Sequence, residues 1–133
     1  MEHIFRDEGE RMHDLILRSF RHREALWGLL LAAYRVELTG LLSRAAKTGF
    51  EDGDTVTVVE LAEHIAAAAK LADLSAIRND ALALRACANA AMGGGEREEG
   101  KVLVAGLKLI DRILDTAKER ETASRTKPAP LLS

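Results

Sequence analysis

Thr57–Met92, TVVELAEHIAAAAKLADLSAIRNDALALRACANAAM, runs 36 residues without a proline or a glycine and is dense in alanine. Alanine has the highest helix propensity and loses no side-chain entropy when it is ordered. Leu61, Ile65, Ile77, Leu84 and Met92 supply the larger apolar groups between the alanines. The stretch therefore reads as the central helix, or helix pair, of an all-α protein. Val58, Ala62, Ile65, Ala69 and Ala72 follow a four-three alternation, and Ile77, Ala81, Leu84, Ala88 and Ala91 follow the same alternation one residue out of frame. The shift falls at Asp73-Leu74-Ser75. Either one helix continues through a stutter, or it breaks and Asp73 or Ser75 caps a new one. Thr57-Val-Val-Glu60 has the spacing of a capping box, which sets the expected start near Thr57. Gly93-Gly94-Gly95 sets the end.

Upstream, Glu2 to about Lys47 also reads as helical. Met12, Leu15, Ile16, Phe20, Trp27, Leu30, Tyr34, Leu38, Leu41, Leu42 and Ala45 keep one apolar stripe. The polar cluster Arg18-Ser-Phe-Arg-His-Arg23 is a candidate break, so one helix or two are both compatible with the pattern. Thr48 to Asp54 is a loop, with Gly49 suited to the left-handed position after a helix end and Asp52-Gly53 to a turn. Downstream, a last helix is expected from about Glu96 to Glu121. Its acidic first turn and basic last turn match the helix dipole, and its seam is Leu103, Leu107, Ile110, Leu114 and Ala117. Residues 123–133, with Pro128 and Pro130, read as a flexible tail beyond a single domain of residues 1–122.

The chain has 133 residues, 47% of them hydrophobic and 30% charged, with a formal net charge of −2. One helical domain with a core of Leu, Ile, Val and Ala fits that length and the 4% aromatic content. The charge balance gives no global drive towards nucleic acid or anionic lipid. A lone Cys87 forms no intrachain disulfide and suits a reducing cytoplasm. The acidic, mixed start is unlike a secretory signal. Ala25 to Val36 is the most apolar run, but Arg35 and Glu37 end it short of the roughly 18 residues of a membrane span. A cytoplasmic location with no membrane partner is therefore expected.

Chemistry-bearing patterns are sparse. Glu10-Arg-Met-His13 has the Glu-x-x-His spacing of di-iron bundles, but such sites need a second motif and two further glutamates. The chain has no second motif, and Glu60 with His64, one turn apart, does not complete the set. Gly93 to Gly100 is glycine-rich but lacks a Gly-Lys-Ser/Thr ending and carries acids that repel phosphate. No metal, cofactor or catalytic residue is assigned.

Val59-Glu-Leu-Ala-Glu-His-Ile65 followed by Leu74-Ser-Ala-Ile-Arg-Asn-Asp-Ala-Leu82 resembles the helix pair of bacterial helix-turn-helix repressors. The resemblance spans about 24 residues. It implies a DNA-binding regulatory or packaging-type oligomer in which Arg78, Asn79 and Arg85 approach base edges or phosphates. The chain departs from that family where a short turn is replaced by the helix-prone Ala66 to Asp73.

The expectation is an antiparallel bundle of three or four long helices. The leading function is a non-enzymatic interaction or adaptor protein that self-associates or docks on a helical protein partner. Leu29, Leu30 and Leu31 are consecutive, and one narrow intramolecular interface does not cover them all. The alternatives are the DNA-binding oligomer and an enzyme with a site between subunits, for which Glu10, His13, Glu60 and His64 would converge.

Overall fold

The structure, a computed structural model, describes residues 26 to 126. Among the described residues there are four helices and no strand. Helix α1 spans Leu26–Thr48. Helices α2, α3 and α4 span Asp54–Leu71, Ser75–Ala91 and Glu96–Thr126. The stripe residues Met12 to Phe20, the candidate break at Arg18 to Arg23, and the tail from residue 127 onward lie outside the described residues.

The alanine-rich stretch is a helix pair. Helix α2 stops at Leu71 because Asp73 adopts a left-handed φ of 58°. The Leu74 N–H then donates to the Ala69 carbonyl (2.8 Å) and the Asp73 N–H to the Lys70 carbonyl (3.2 Å). Those two bonds form a Schellman motif, and Leu74 packs against the core as its apolar anchor. Glycine usually fills the left-handed position. Asp73→Gly is therefore expected to raise stability by about 0.5–1 kcal/mol, read as a higher urea midpoint at unchanged slope.

Two expected boundaries move. Helix α2 starts at Asp54, three residues before Thr57, so Thr55 and Val56 are helical. Gly53, at φ 87°, takes the cap position instead. The Thr57 hydroxyl donates to the Gly53 carbonyl at 3.0 Å, so the Thr57–Glu60 capping box does not form. At the other end α4 continues to Thr126 rather than ending near Glu121, and residues 123–126 are helix rather than tail.

All four helices feed one apolar core. Helix α1 contributes Leu31, Leu38 and Leu42; α2 contributes Val58, Leu61, Ala62, Ile65, Ala66, Ala68 and Ala69. Helix α3 adds Ile77, Ala81, Leu84, Ala88 and Ala91, and α4 adds Val102, Leu109, Ile110 and Ile113. Helix α3 packs on both α2 and α4. Both frames of the alternating stripe are buried as the spacing predicts, apart from the half-buried Ala72. In α4 the most deeply buried line is Val102, Gly106, Leu109 and Ile113; of the expected seam, Ile110 is buried, Leu103 and Leu114 pack partly buried against the core, and Leu107 and Ala117 are exposed. Helix α1 meets α4 where Gly106 faces Leu42; a methyl group at Gly106 would overlap Leu42 Cδ1.

Candidate interaction surface

Helix α1 has two faces of different character. Its inner face carries the buried Leu31, Leu38, Leu42 and Ala45, flanked by the partly buried Trp27, Tyr34 and Leu41. Tyr34 stacks on the His64 ring of α2, with centroids 5.6 Å apart and planes 17° from parallel. The outer face carries Leu26, Leu29, Ala33, Val36, Gly40 and Ser43, all exposed. Leu29 is 70% exposed, Val36 59% and Leu26 46%. These six positions recur at intervals of three and four, so they form one seam along the helix, and none is charged. Of the three consecutive leucines, Leu31 is buried, Leu30 half-buried and Leu29 exposed.

Beside the seam, α1 and α4 leave an open apolar groove of about 220 Å³. Thr39, Leu42, Ser43 and Ala46 line one wall and Leu103, Leu107 and Ile110 the other. Leu107 and Val104 extend the exposed apolar surface onto α4. A smaller pocket lies nearer the α1 start, between Gly28 and Leu31, Leu74 and Ile77, and Ile113 to Arg120.

Two ion-pair clusters tie the helices. Asp54 accepts from Arg44 Nη2 at 2.7 Å and from the Glu51 N–H at 2.7 Å, and Arg44 Nη1 lies 3.5 Å from Glu51. Asp80 of α3 accepts from Arg112 Nε at 3.0 Å, with Lys108 Nζ at 3.8 Å. Both aspartates are nearly buried, although a carboxylate in an amphipathic pattern ordinarily reads as solvated. A signal exists for Asp80. It stands three residues after Ile77 and four before Leu84, inside the apolar stripe, while Lys108 and Arg112 offer cations one turn apart on α4.

Burial of the Asp54 carboxyl acts to raise its pKa. The Arg44 hydrogen bond, the Glu51 N–H and the Arg44 charge outweigh burial and hold it below the ordinary 3.8. A folded-state value below the unfolded one stabilises the fold above the unfolded value. That contribution is lost as pH falls through 3.8 towards the lower folded value. Asp54→Asn is expected to cost about 1 kcal/mol at neutral pH, since the Arg44 side of the pair is partly screened by solvent. Urea unfolding between pH 7 and the acid limit should show the wild type losing stability relative to this variant only below about pH 4.

The other candidate residues are scattered. Arg78 and Asn79 are exposed and Arg85 is half-buried. Arg78 and Arg85, seven residues apart, share a flank of α3, but Asn79 projects about 100° further round. Glu60 and His64 are exposed, and Glu10 and His13 lie outside the described residues. Among the described residues no group of three or more His, Cys, Asp or Glu side chains is placed to hold a metal ion. Cys87 is a free, half-buried thiol against the core.

Helix α1 is long and apolar enough to cross a membrane by length and composition, with a mean hydropathy of 1.2. Its inner face is nevertheless part of the core, and Arg35, Glu37, Arg44 and Lys47 lie within it. No family model matches the chain, and neither a curated protein nor a solved structure matches it.

Proposed function

We propose that the chain is a small cytoplasmic, non-enzymatic interaction module that self-associates through the outer face of α1. Its helices form an antiparallel bundle in this reading. The short connections at residues 49–53, 72–74 and 92–95 support that arrangement. So do the groove and pocket walls, which set the α1 start beside the α4 end and the α1 end beside the middle of α4.

One observation carries the functional reading: an uncharged seam with Leu29 and Val36 well over half exposed, on a helix whose other face already belongs to the core. Apolar side chains aligned this way gain free energy when a second surface removes them from water. Both buried carboxylates are held in ion pairs that join helices, which fits a structural use of those groups.

Light scattering of the full chain from low to high micromolar concentration tests this. The expected result is a species of twice the chain mass at the upper end. Leu29→Asp should return it to a monomer with unchanged helical circular dichroism, since Leu29 is outside the core. A clean monomer at every concentration overturns the reading, as does a monomer that floats with phosphatidylcholine vesicles.

The DNA-binding alternative is favoured by one feature, the three-residue connection that separates α2 from α3. It draws no support from Asn79, which lies off the flank shared by Arg78 and Arg85. Steeply salt-dependent binding to random duplex would move the assignment to that class.

A further inference from the structure

We infer that the second surface is a copy of the same helix, paired antiparallel about a two-fold axis that passes between Ala33 and Val36. This rests on the self-association proposed above and adds the partner and the register.

Side-chain size along the seam sets the pairing. The exposed seam of α1 reads Leu26, Leu29, Ala33, Val36, Gly40, Ser43. Large groups occupy its first two positions and small ones its last two. A parallel, in-register pair would set each residue against its own copy. Leucine would then crowd leucine at positions 26 and 29, while glycine faced glycine at position 40 and left a void. An antiparallel pair centred between Ala33 and Val36 sets Leu26 against Ser43, Leu29 against Gly40, and Val36 against Ala33. Every layer then holds one large and one small side chain, the alternation that fills an interface evenly. A two-fold axis repeats each layer, so three kinds of contact build six layers.

Three further features agree. The seam is continuous over residues 26–43, about 26 Å of helix at 1.5 Å per residue. Its three-four spacing keeps it facing a partner helix along that length in a shallow left-handed supercoil. Gly40 has nothing within 4 Å of a Cβ built on it, so the space beside it is open to a leucine from outside the monomer. Ser43 also lines the α1–α4 groove, and the incoming Leu26 end of the second helix arrives at that rim. The charged groups Arg44 and Glu51 near this end are already engaged with each other and Asp54. Glu37 puts a like charge beside the axis, and its exposure to solvent keeps that repulsion small.

Cysteine cross-linking in a Cys87→Ser background of the full chain tests the register. In the antiparallel pair the two copies of residue 29 are offset by eleven residues, about 16 Å along the axis. That is beyond disulfide reach, whereas residues 29 and 40 of opposite chains are adjacent. Mild oxidation of Leu29→Cys alone, or Gly40→Cys alone, should give no covalent dimer. Mixing the two, re-equilibrating and oxidising should give a covalent heterodimer. Cross-linking of either variant with itself overturns the register and points to parallel pairing, leaving the self-association reading intact. A dimer by light scattering that yields no product from the mixture also overturns it. A monomer by light scattering defeats the broader reading first, so the two failures are distinguishable.

Discussion

Leu84→Ala is expected to lower the free energy of unfolding by about 3 kcal/mol, within the 2–5 kcal/mol span of such truncations. Leu84 is fully buried, and its helix packs on both α2 and α4. The cost of a truncation depends on how far the surroundings collapse into the hole. Much of the core contributed by α2 and α3 is alanine: Ala62, Ala66, Ala68, Ala69, Ala81, Ala88 and Ala91. A methyl group fixed to a helical backbone has no rotamer with which to fill space. The void therefore persists, and the loss should stay above the bottom of the range. For a domain stabilised by about 5–15 kcal/mol that is a large fraction of the total. Urea unfolding by circular dichroism measures it as a lower midpoint at constant slope. A loss below about 1 kcal/mol would mean that α2 and α4 close over the gap.

The same alanines explain why the middle of the chain was so legible. In α2 and α3 alanines fill most of the buried positions, and Val58, Ile65, Ile77 and Leu84 mark the alternating stripe between them. Ile65, Ile77 and Leu84 are all buried where the alternation puts them. The frame shift at Asp73 to Ser75 also reported something physical. It falls where the Schellman motif ends α2 and a second helix begins on the same core. The sequence left open whether the helix broke there. Asp73, an aspartate, holds the left-handed position that glycine would have announced.

Helix α4 was less legible, and Gly106 is the reason. Two apolar lines overlap there: Val102, Leu109 and Ile113, and Leu103, Leu107, Ile110 and Leu114. The second has more large residues, so spacing and size together predict it as the seam. The first is completed by Gly106, which has no hydrophobicity to register and reads locally only as a helix weakener. Its role becomes visible only when Leu42 of α1 is brought against it. The outer face of α1 has the opposite history. Consecutive leucines indicated more apolar surface than one interface covers, and Leu29 and Val36 are indeed exposed. The buried carboxylates Asp54 and Asp80 were missed because a charged residue in an amphipathic pattern is read as solvated until its partner on another helix is known.

Gly106 also supplies a sharp paired prediction. Gly100 and Gly106 lie in the same helix, and on propensity alone alanine at either would stabilise it by up to about 1 kcal/mol. Their surroundings differ. A Cβ at Gly100 meets nothing within 4 Å, so Gly100→Ala should realise most of that gain. A Cβ at Gly106 overlaps Leu42 Cδ1, and Leu42 is itself buried and cannot swing into water without leaving the core. Overpacking of this kind costs about 1–3 kcal/mol. Gly106→Ala should therefore be neutral to destabilising by about 2 kcal/mol, and Gly106→Val, with two more methyl groups and poorer helix propensity, destabilising by about 2–4 kcal/mol. The strain acts between α1 and α4, so hydrogen exchange should quicken around Leu38 to Ala46 before it changes in α2. A second substitution, Leu42→Ala, should couple to the first. Its cost should be smaller in the Gly106→Val background than in the wild type, because the valine occupies space that Leu42 vacates. Additive costs would mean that α1 has moved away as a body, with the seam on its outer face carried along.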